Sequence, residues 1–567
     1  MEASHILEMY SEYKKVRDLW APLWQYLGKY IHGVKQDFTE TNRPGEFLHA
    51  TLYDDSGMFS NSKMTAALVG MLWQNGGRSI RMQPPRGVAK TPDVKRYFEQ
   101  VNEILINSLD DPRAGLTESF EEYLLDQGSF GTSGIGVFEG VESDIMFSPW
   151  GVDDCCIGEG PNGKVNKVFK LKEMTAEELE DEYGFDKLPM RVKDAIQNKK
   201  YMTKYKVLIA ILPRNKRDAT QKNNRNMPFA SYHIFMDTKD ILKESGFDEF
   251  PVNWGRFKKK RNESYGRSPG MEALPSILEA NALRESVIVA TEKLLDPPLG
   301  VQHDSMVGNG VVDTSPGGMN VVNVTGQIGS TRNPIFPLFS VGDIRPALSR
   351  LEVLGQNIKE HFNIDRLLDF NNQTTMTATE AQMRNVIRGQ GLGAIFSRQM
   401  NEVLTPTLER AISILFRKKK MGFFENSEEA VAAMQVDLDP IIIPAPIAKL
   451  IEEGKDFYEI KYFTPAARIM EAEEATGIQQ TWAFAMEVAQ AKPEVLDYLD
   501  ADDSLKKISE ISGAPSSVIK ADIVVENIRK QRAAQQQQQA QAQQASVGME
   551  LAGQAQELEQ QGENIGT

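Results

Sequence analysis

Apolar residues recur at helical spacing from early in the chain. Trp20, Trp24, Leu27 and Ile31 fall at i, i+4, i+7 and i+11 and make one face. Pro22 interrupts that face, so a kink or a division into two helices is expected there. Ser62–Gln74 predicts a second helix, stopped by Gly76 and Gly77. A third starts at Thr91 with Pro92 in its first turn and turns Val94, Tyr97, Phe98, Val101, Ile104 and Leu105 inward.

Residues 114–240 are mixed. An amphipathic stretch, Glu118–Gln127, leads into GSFGTSGIGVFEG and then into short β-rich pieces. Thr175 and Glu178 form a capping box that opens a helix running to Glu182 and ended by Gly184. Val207–Leu212 is short and β-branched and reads as a strand, and the charged, Asn-rich stretch 213–227 reads as an exposed loop.

A long helical run then begins at Pro269. Leu274, Ile277, Leu278, Ala282, Val287, Ile288, Thr291 and Leu294 make its apolar side, and Asp296-Pro297-Pro298 ends it. A run of about 25 residues spans about 38 Å. Residues 299–342 are rich in Gly, Val, Asn and Pro and predict short strands and turns. Helix resumes at Asp343, with Leu348, Leu351, Leu354, Ile358 and Phe362 on one side. A polar stretch, Asp365–Thr377, follows. Thr377 and Glu380 form another capping box, opening a helix to Phe416 that Gly389, Gly391, Gly393 and Pro406 should bend. Residues 465–530 are helical again, and from Gln531 the chain is a Gln-rich low-complexity tail, expected to be frayed helix or disorder. The fold class is therefore α+β, mainly α-helical, with two long helices flanking a small β-rich insert.

Composition narrows the function. With 41% hydrophobic and 25% charged residues over 567 positions, the chain has the balance of a multi-domain globular protein. The densest apolar runs, Ala66–Trp73 and Ile441–Ala448, fall short of the ~20 residues a membrane helix needs. No secretory signal is visible. Adjacent Cys155 and Cys156 are too close for an unstrained bridge and fit a reducing compartment. The six histidines are scattered without metal-ligand spacing, so neither a metal nor any other cofactor is expected. A net charge of −15 repels phosphates on average and argues against a high-affinity DNA binder.

The catalytic motifs are near misses. Gly158–Lys164 matches a phosphate-binding loop, but Val165 stands where a Ser or Thr would hold magnesium, and Asn162-Gly163 between β-like flanks predicts a hairpin instead. Gly131–Gly136 precedes a strand rather than opening a helix, which is the wrong order for a dinucleotide fingerprint, and is expected to be a loop packed on a sheet. No GxSxG elbow is present, and Glu177, Glu178, Glu180, Asp181 and Glu182 read as the solvated face of a helix. Two basic runs remain. Arg256–Arg261 lies between Trp254 and Tyr265, so Lys258, Lys259, Lys260 and Arg261 are candidates for nucleic-acid contact as much as for simple solvation. Arg417–Lys420 ends a helix and is expected to cap it.

Several stretches together resemble a known family. They are Tyr53-Asp-Asp-Ser-Gly57 before KMTAALVGMLW, MTAEELEDEYGFDKLP, and Tyr265-Gly-Arg-Ser-Pro-Gly-Met271 before ALPSILEANALRESVIVATEKLLDPPLGV. TATEAQMR from Thr377, the LTPTLERAISILFRKKK helix, and Ile460-Lys-Tyr-Phe-Thr-Pro465 complete the set. The order resembles the head-to-tail connecting (portal) proteins of short-tailed bacteriophages, the podoviruses, over most of residues 10–470.

That resemblance implies a portal fold assembled as a dodecameric ring at one capsid vertex, with a channel for double-stranded DNA packaging and ejection. It implies a wing from 1–268 and 379–464, stem helices at 269–298 and 343–364, and a clip at 299–342. A tunnel loop at 365–378, a crown at 465–530 and the Gln-rich tail at 531–567 complete the expectation. The implied partners are the terminase large subunit, a tail adaptor, and the major capsid and scaffolding proteins. Internal core proteins and weakly held DNA are further implied partners, and no membrane is. The implied setting is the virion, after synthesis in the host bacterial cytoplasm. Arg345, Arg350, Lys359, Arg366, Asn371 and Asn372 are the expected channel residues. No catalysis is expected. The competing readings are a DNA-packaging enzyme and a virion adaptor without a channel.

Overall fold

The computed structural model describes residues 2–73, 79–301, 335–337, 342–368, 392–424 and 440–512, less 44, 90, 215–216, 218–222 and 490–491, with isolated residues elsewhere. The chain divides into two compact units, Met1–Met470 and Glu471–Thr567.

The first unit begins with α1 (Ala3–Asp18) and α2 (Ala21–Leu27), which runs on as a π-helical turn, Gly28–His32. The predicted division is present, and Pro22 sits in the first turn of α2, where its missing N–H costs nothing. Trp24, Leu27 and Ile31 are fully buried, as the periodicity required. α3 (Ser56–Leu72) starts six residues before the predicted helix, because Asp54 accepts from the Ser56 N–H and begins the turn. α4 (Pro92–Leu109) is capped by the Thr91 hydroxyl, and α5 (Leu116–Phe130) packs against α3. Gly128 permits that packing: a Cβ there would lie 1.9 Å from Asn61 Oδ1.

Two antiparallel sheets follow. The smaller has the order β3-β2-β9, from β2 (Thr132–Glu139), β3 (Ile145–Trp150) and β9 (Val252–Arg256). The glycine-rich stretch at 131–136, expected as a loop, is instead largely the central strand β2. Its glycines admit indole rings onto the backbone. A Cβ on Gly134 would meet Trp254 at 2.9 Å, and one on Gly136 would meet the Trp150 nitrogen at 2.7 Å.

The larger sheet is a five-stranded meander, β4 (Cys155–Glu159), β5 (Val165–Thr175), β6 (Lys204–Pro213), β7 (Phe229–Phe235) and β8 (Ile241–Phe247). Residues 158–165 form the β4–β5 hairpin, closed by Gly160 N–H to Lys164 O, with Gly163 at φ +70°. One face of the meander packs Phe169, Leu208, Tyr232 and Ile234 beneath Ile6 and Tyr10 of α1. At one end it carries α6 (Ala176–Tyr183), opened by the predicted Thr175–Glu178 capping box, and α7 (Met190–Gln197).

α8 (Pro269–Leu295) is capped by Ser268, whose hydroxyl accepts from the Met271 N–H at 2.9 Å. The chain leaves it through β10 (Leu299–Val301) and returns through the antiparallel β11 (Ile335–Pro337). α9 (Arg345–His361) and α10 (Ile364–Leu368) come next. The interior of the insert, the 377–380 capping box, Gly389, Gly391 and the Gln-rich tail lie outside the described residues. The helix at 392–399 widens into a π-helical turn, Met400–Leu404, before the helix Thr405–Arg417. The π-helical turn lies one turn before Pro406 and its missing backbone donor.

In the second unit, the described elements are the remainder of the helix Pro465–Ala489, a 3-10 segment Pro493–Tyr498 and the helix Ala501–Ser512. Asp502 there receives both guanidinium nitrogens of Arg529 at 2.6 Å.

Candidate nucleic-acid interface

α9, which packs against α8, carries three of the six expected channel residues, Arg345, Arg350 and Lys359. The first half of α8 is fixed to the chain. Ala273, Ile277 and Ala280 are buried. Asn281, 7% exposed, accepts from the backbone N–H groups of Tyr53 and Asp54 at 2.7 and 3.1 Å and donates to Thr51 O. Arg284 adds an ion pair to Asp54 at 3.2 Å. Beyond Asn281 the helix changes: no residue from Ala282 to Leu295 is buried, and Ile288, Val289, Leu294 and Leu295 are exposed. The apolar side expected along the whole of α8 is therefore fully buried only in its first half, and beyond Asn281 only Leu283 and Val287 keep part-buried contact with the core.

α9 buries Leu351, Leu354 and Ile358, followed by Phe362, whereas Leu348 of the predicted stripe is exposed. Across the two helices, Arg350 donates to both carboxylate oxygens of Glu279, at 2.8 and 3.0 Å. That hydrogen-bonded pair holds the Glu279 carboxyl below its ordinary value.

The six expected channel residues divide three ways. Arg345 is pinned by Asp343, which also accepts from its backbone N–H, and Arg350 is engaged by Glu279. Lys359 and Arg366 are exposed and have no ion pair among the described residues. Asn371 and Asn372 lie outside the described residues.

The basic run at 256–261 has spent its charge within the chain. Arg256, 3% exposed, pairs with Glu159 and Glu402 and donates to Gly163 O. Lys258 pairs with Glu272, Lys259 with Glu159 and Lys260 with Glu263, at 2.7, 2.8 and 3.1 Å. Arg261 alone in the run has no ion pair among the described residues. Trp254 and Tyr265 are core residues, so the aromatic interleaving read from the sequence supplies no stacking platform. At 417–420 the cations reach past their own helix end. Arg417 pairs with Glu249 at 3.0 Å, Lys418 donates to Gly140 O and Asp144 O, and Lys420 pairs with Asp144.

Sequence reasoning missed a buried charge network behind α5. Asp126, with no exposure, accepts from Lys35 Nζ at 2.8 Å and from Ser133 Oγ, and lies 3.1 Å from His32 Nε2. His32 Nδ1 accepts from the Lys35 backbone N–H, so Nε2 carries the proton toward Asp126. No local spacing signals a contact between residues 91 and 94 positions apart. Among the described residues no cluster of His, Cys, Asp or Glu is arranged to hold a metal, and both cysteines are free and buried, with burial raising their thiol pKa values.

Residues 3–519 match the family of bacteriophage head to tail connecting proteins. The chain belongs to that family. The connector is 24% identical over 555 residues to the portal protein of Salmonella phage epsilon15, covering 94% of this chain and 92% of the relative. It is 25% identical over 557 residues to the probable portal protein of Bordetella phage BPP-1, covering 96% and 93%. Among solved structures, a chain of the virion of a native gene transfer agent particle aligns with 69% of the connector and 92% of its own length, at 13% identity and a TM-score of 0.30. The connector is thus a phage structural protein that joins head to tail, and its described helices include none long and apolar enough to cross a membrane.

Proposed function

We propose that the connector assembles as a dodecameric portal ring at one capsid vertex and conducts double-stranded DNA during packaging and ejection. The observation that carries this reading is the uncovered second half of α8. Ile288, Val289, Leu294 and Leu295 stay exposed on the single chain, and apolar residues at such density ask for a partner surface. A closed ring supplies one, because each copy offers its neighbour the same pair of surfaces. In this reading α8 and α9 are the stem helices, 299–342 the protruding clip, and 365–378 the loop at the narrow point of the channel. The remainder up to 464 forms the wing, and 465–530 forms the crown inside the head.

The charge suits a conduit. Twelve copies at −15 each give a strongly acidic ring, and phosphates are held tightly only where cations release counterions. DNA then slides rather than sticks. Lys359 and Arg366 supply brief phosphate contacts, because no ion pair among the described residues neutralises their charge. Arg345 and Arg350 are partly cancelled by Asp343 and Glu279. The Lys258–Arg261 run contributes little to DNA contact for the same reason, Arg261 excepted.

The terminase large subunit docks on the clip during filling and a tail adaptor replaces it afterwards. The capsid and scaffolding proteins surround the wing, and internal core proteins meet the crown. The chain works without catalysis or cofactor, is made in the host cytoplasm, and ends in the virion. Light scattering with negative-stain images tests the reading. A species near twelve times 63.5 kDa with a central hole supports it. A monomer that hydrolyses nucleotide overturns it in favour of a packaging enzyme, and a small oligomer without a hole favours a plain adaptor.

A further inference from the structure

A groove of about 660 Å³ opens between the Thr405–Arg417 helix, the segment that follows β8, and the strand Glu459–Tyr462. Its apolar walls include the rings of Phe250, Pro406, Tyr458 and Tyr462 and the side chain of Ile460. The Thr405 and Tyr462 hydroxyls are joined at 2.6 Å and fix one wall.

The carboxylates around this groove are treated unequally. Glu249 is covered by Arg410 at 2.9 Å and Arg417 at 3.0 Å. Glu409, Asp456 and Glu459 line the same groove and have no ion pair among the described residues. Burial, reinforced by Asp456 and opposed by Lys164, raises the Glu409 carboxyl above its ordinary value. The Tyr458 hydroxyl is likewise raised, by burial and then by Glu409, Asp456 and Glu249, so it remains a protonated donor. The groove thus combines aromatic walls, three carboxylates with no ion pair among the described residues, and the Tyr458 hydroxyl.

We propose that this groove receives a basic polypeptide segment of another protein, one presenting Lys or Arg side chains beside aliphatic residues. The choice rests on charge complementarity. An ammonium or guanidinium group relieves the repulsion between Glu409 and Asp456 and finds a further carboxylate in Glu459, and its aliphatic stem or neighbour packs on the rings. An acidic or phosphate-bearing ligand meets like charge here and is rejected.

The test uses the full-length chain and a Lys-Leu-Leu-Lys peptide labelled with fluorescein at its N-terminus, with Glu-Leu-Leu-Glu as the opposite-charge control, followed by fluorescence polarisation. Saturable binding of the basic peptide alone is expected. The Glu409→Gln/Asp456→Asn/Glu459→Gln variant is expected to weaken it by about ten-fold, and more salt to weaken it further. The Glu177→Gln/Asp181→Asn variant, with exposed carboxylates on α6, leaves it unchanged. Carbodiimide coupling supplies a readout independent of affinity: peptide amines couple to Glu409, Asp456 or Glu459. Absent binding, equal loss in both variants, or coupling only at other carboxylates overturns the proposal. None of these outcomes bears on the ring, whose mass is read separately.

Discussion

Replacing Asp126 by Asn tests whether the buried charge network holds α5 in place. Asp126 is fully buried between Lys35 and His32. Burial alone favours the neutral acid. The hydrogen bond from His32 and the charge of Lys35 outweigh it and hold the carboxyl below its ordinary value. Asn keeps the shape and removes the charge. Breaking one partner of a buried pair costs about 3–5 kcal/mol, and Lys35 keeps a second carboxylate, Glu122, at 2.9 Å, so the low end applies. About 3 kcal/mol corresponds to an acceleration of about a hundred-fold in amide exchange through local opening. The readout is hydrogen exchange of Glu121–Phe130 and of Gly28–Gly33, which reports the local equilibrium without assuming that 567 residues unfold in one step. The sign against pH follows from the depressed pKa. The stabilisation is complete above the unfolded value of about 3.9 and is lost as pH falls through the folded one, so acid sensitivity of these amides should vanish in the variant. Acceleration below about five-fold, or unchanged acid sensitivity, refutes the reasoning.

Other outcomes follow from the same geometry. Gly131→Ala places a Cβ 2.6 Å from the Arg267 carbonyl carbon and 2.7 Å from Gly266 O at φ +76°, so it should cost more than about 2 kcal/mol, read as a lowered thermal midpoint. A midpoint within a degree of the parent would contradict that close approach. Ile288→Asp with Leu295→Asp should abolish the ring in light scattering yet leave the circular dichroism of the chain unchanged, since both residues are exposed before assembly. Lys359→Glu with Arg366→Glu should reduce DNA retained per particle, whereas Arg345→Glu should do less because Asp343 already neutralises it. Equal defects would remove charge pairing as the distinction.

What the chain announces locally, the structure contains. Local chemistry located starts closely: Thr91 before Pro92 and Thr175 with Glu178 both precede helices. The hairpin at 160–163 was equally legible, because its turn residues act on their own backbone. The stretch 131–136 misled for an opposite reason. Its glycines answer to Trp150 and Trp254, rings that arrive from other strands and leave no mark on the local spacing. Charge was legible as a sum and illegible as a map. Arg350 and Glu279 are 71 positions apart, and Arg256 and Glu402 are 146 apart. A basic run therefore looked available for DNA when all its cations but Arg261 were paired.

The apolar side of α8 shows how the two kinds of information separate. Periodicity asks for burial of Ile277 and Ile288 alike, since both lie on apolar positions of one helix. The single chain buries Ile277 completely and leaves Ile288 40% exposed. The difference arises where Asn281 and Arg284 tie the helix to Thr51–Asp54, after which, among the described residues, only part-buried contacts such as those of Leu283 and Val287 reach the core. Asn281 anchors the helix at that point, because it satisfies three backbone groups of Thr51, Tyr53 and Asp54. Selection for folding alone places no premium on the apolar residues beyond that point, since exposed leucine and isoleucine invite aggregation. In the proposed ring, Ile288, Val289, Leu294 and Leu295 are the residues that would meet a neighbouring copy. The same reasoning predicts that polar residues introduced before Asn281, at Ile277, damage the chain itself, whereas those introduced after it damage only the assembly.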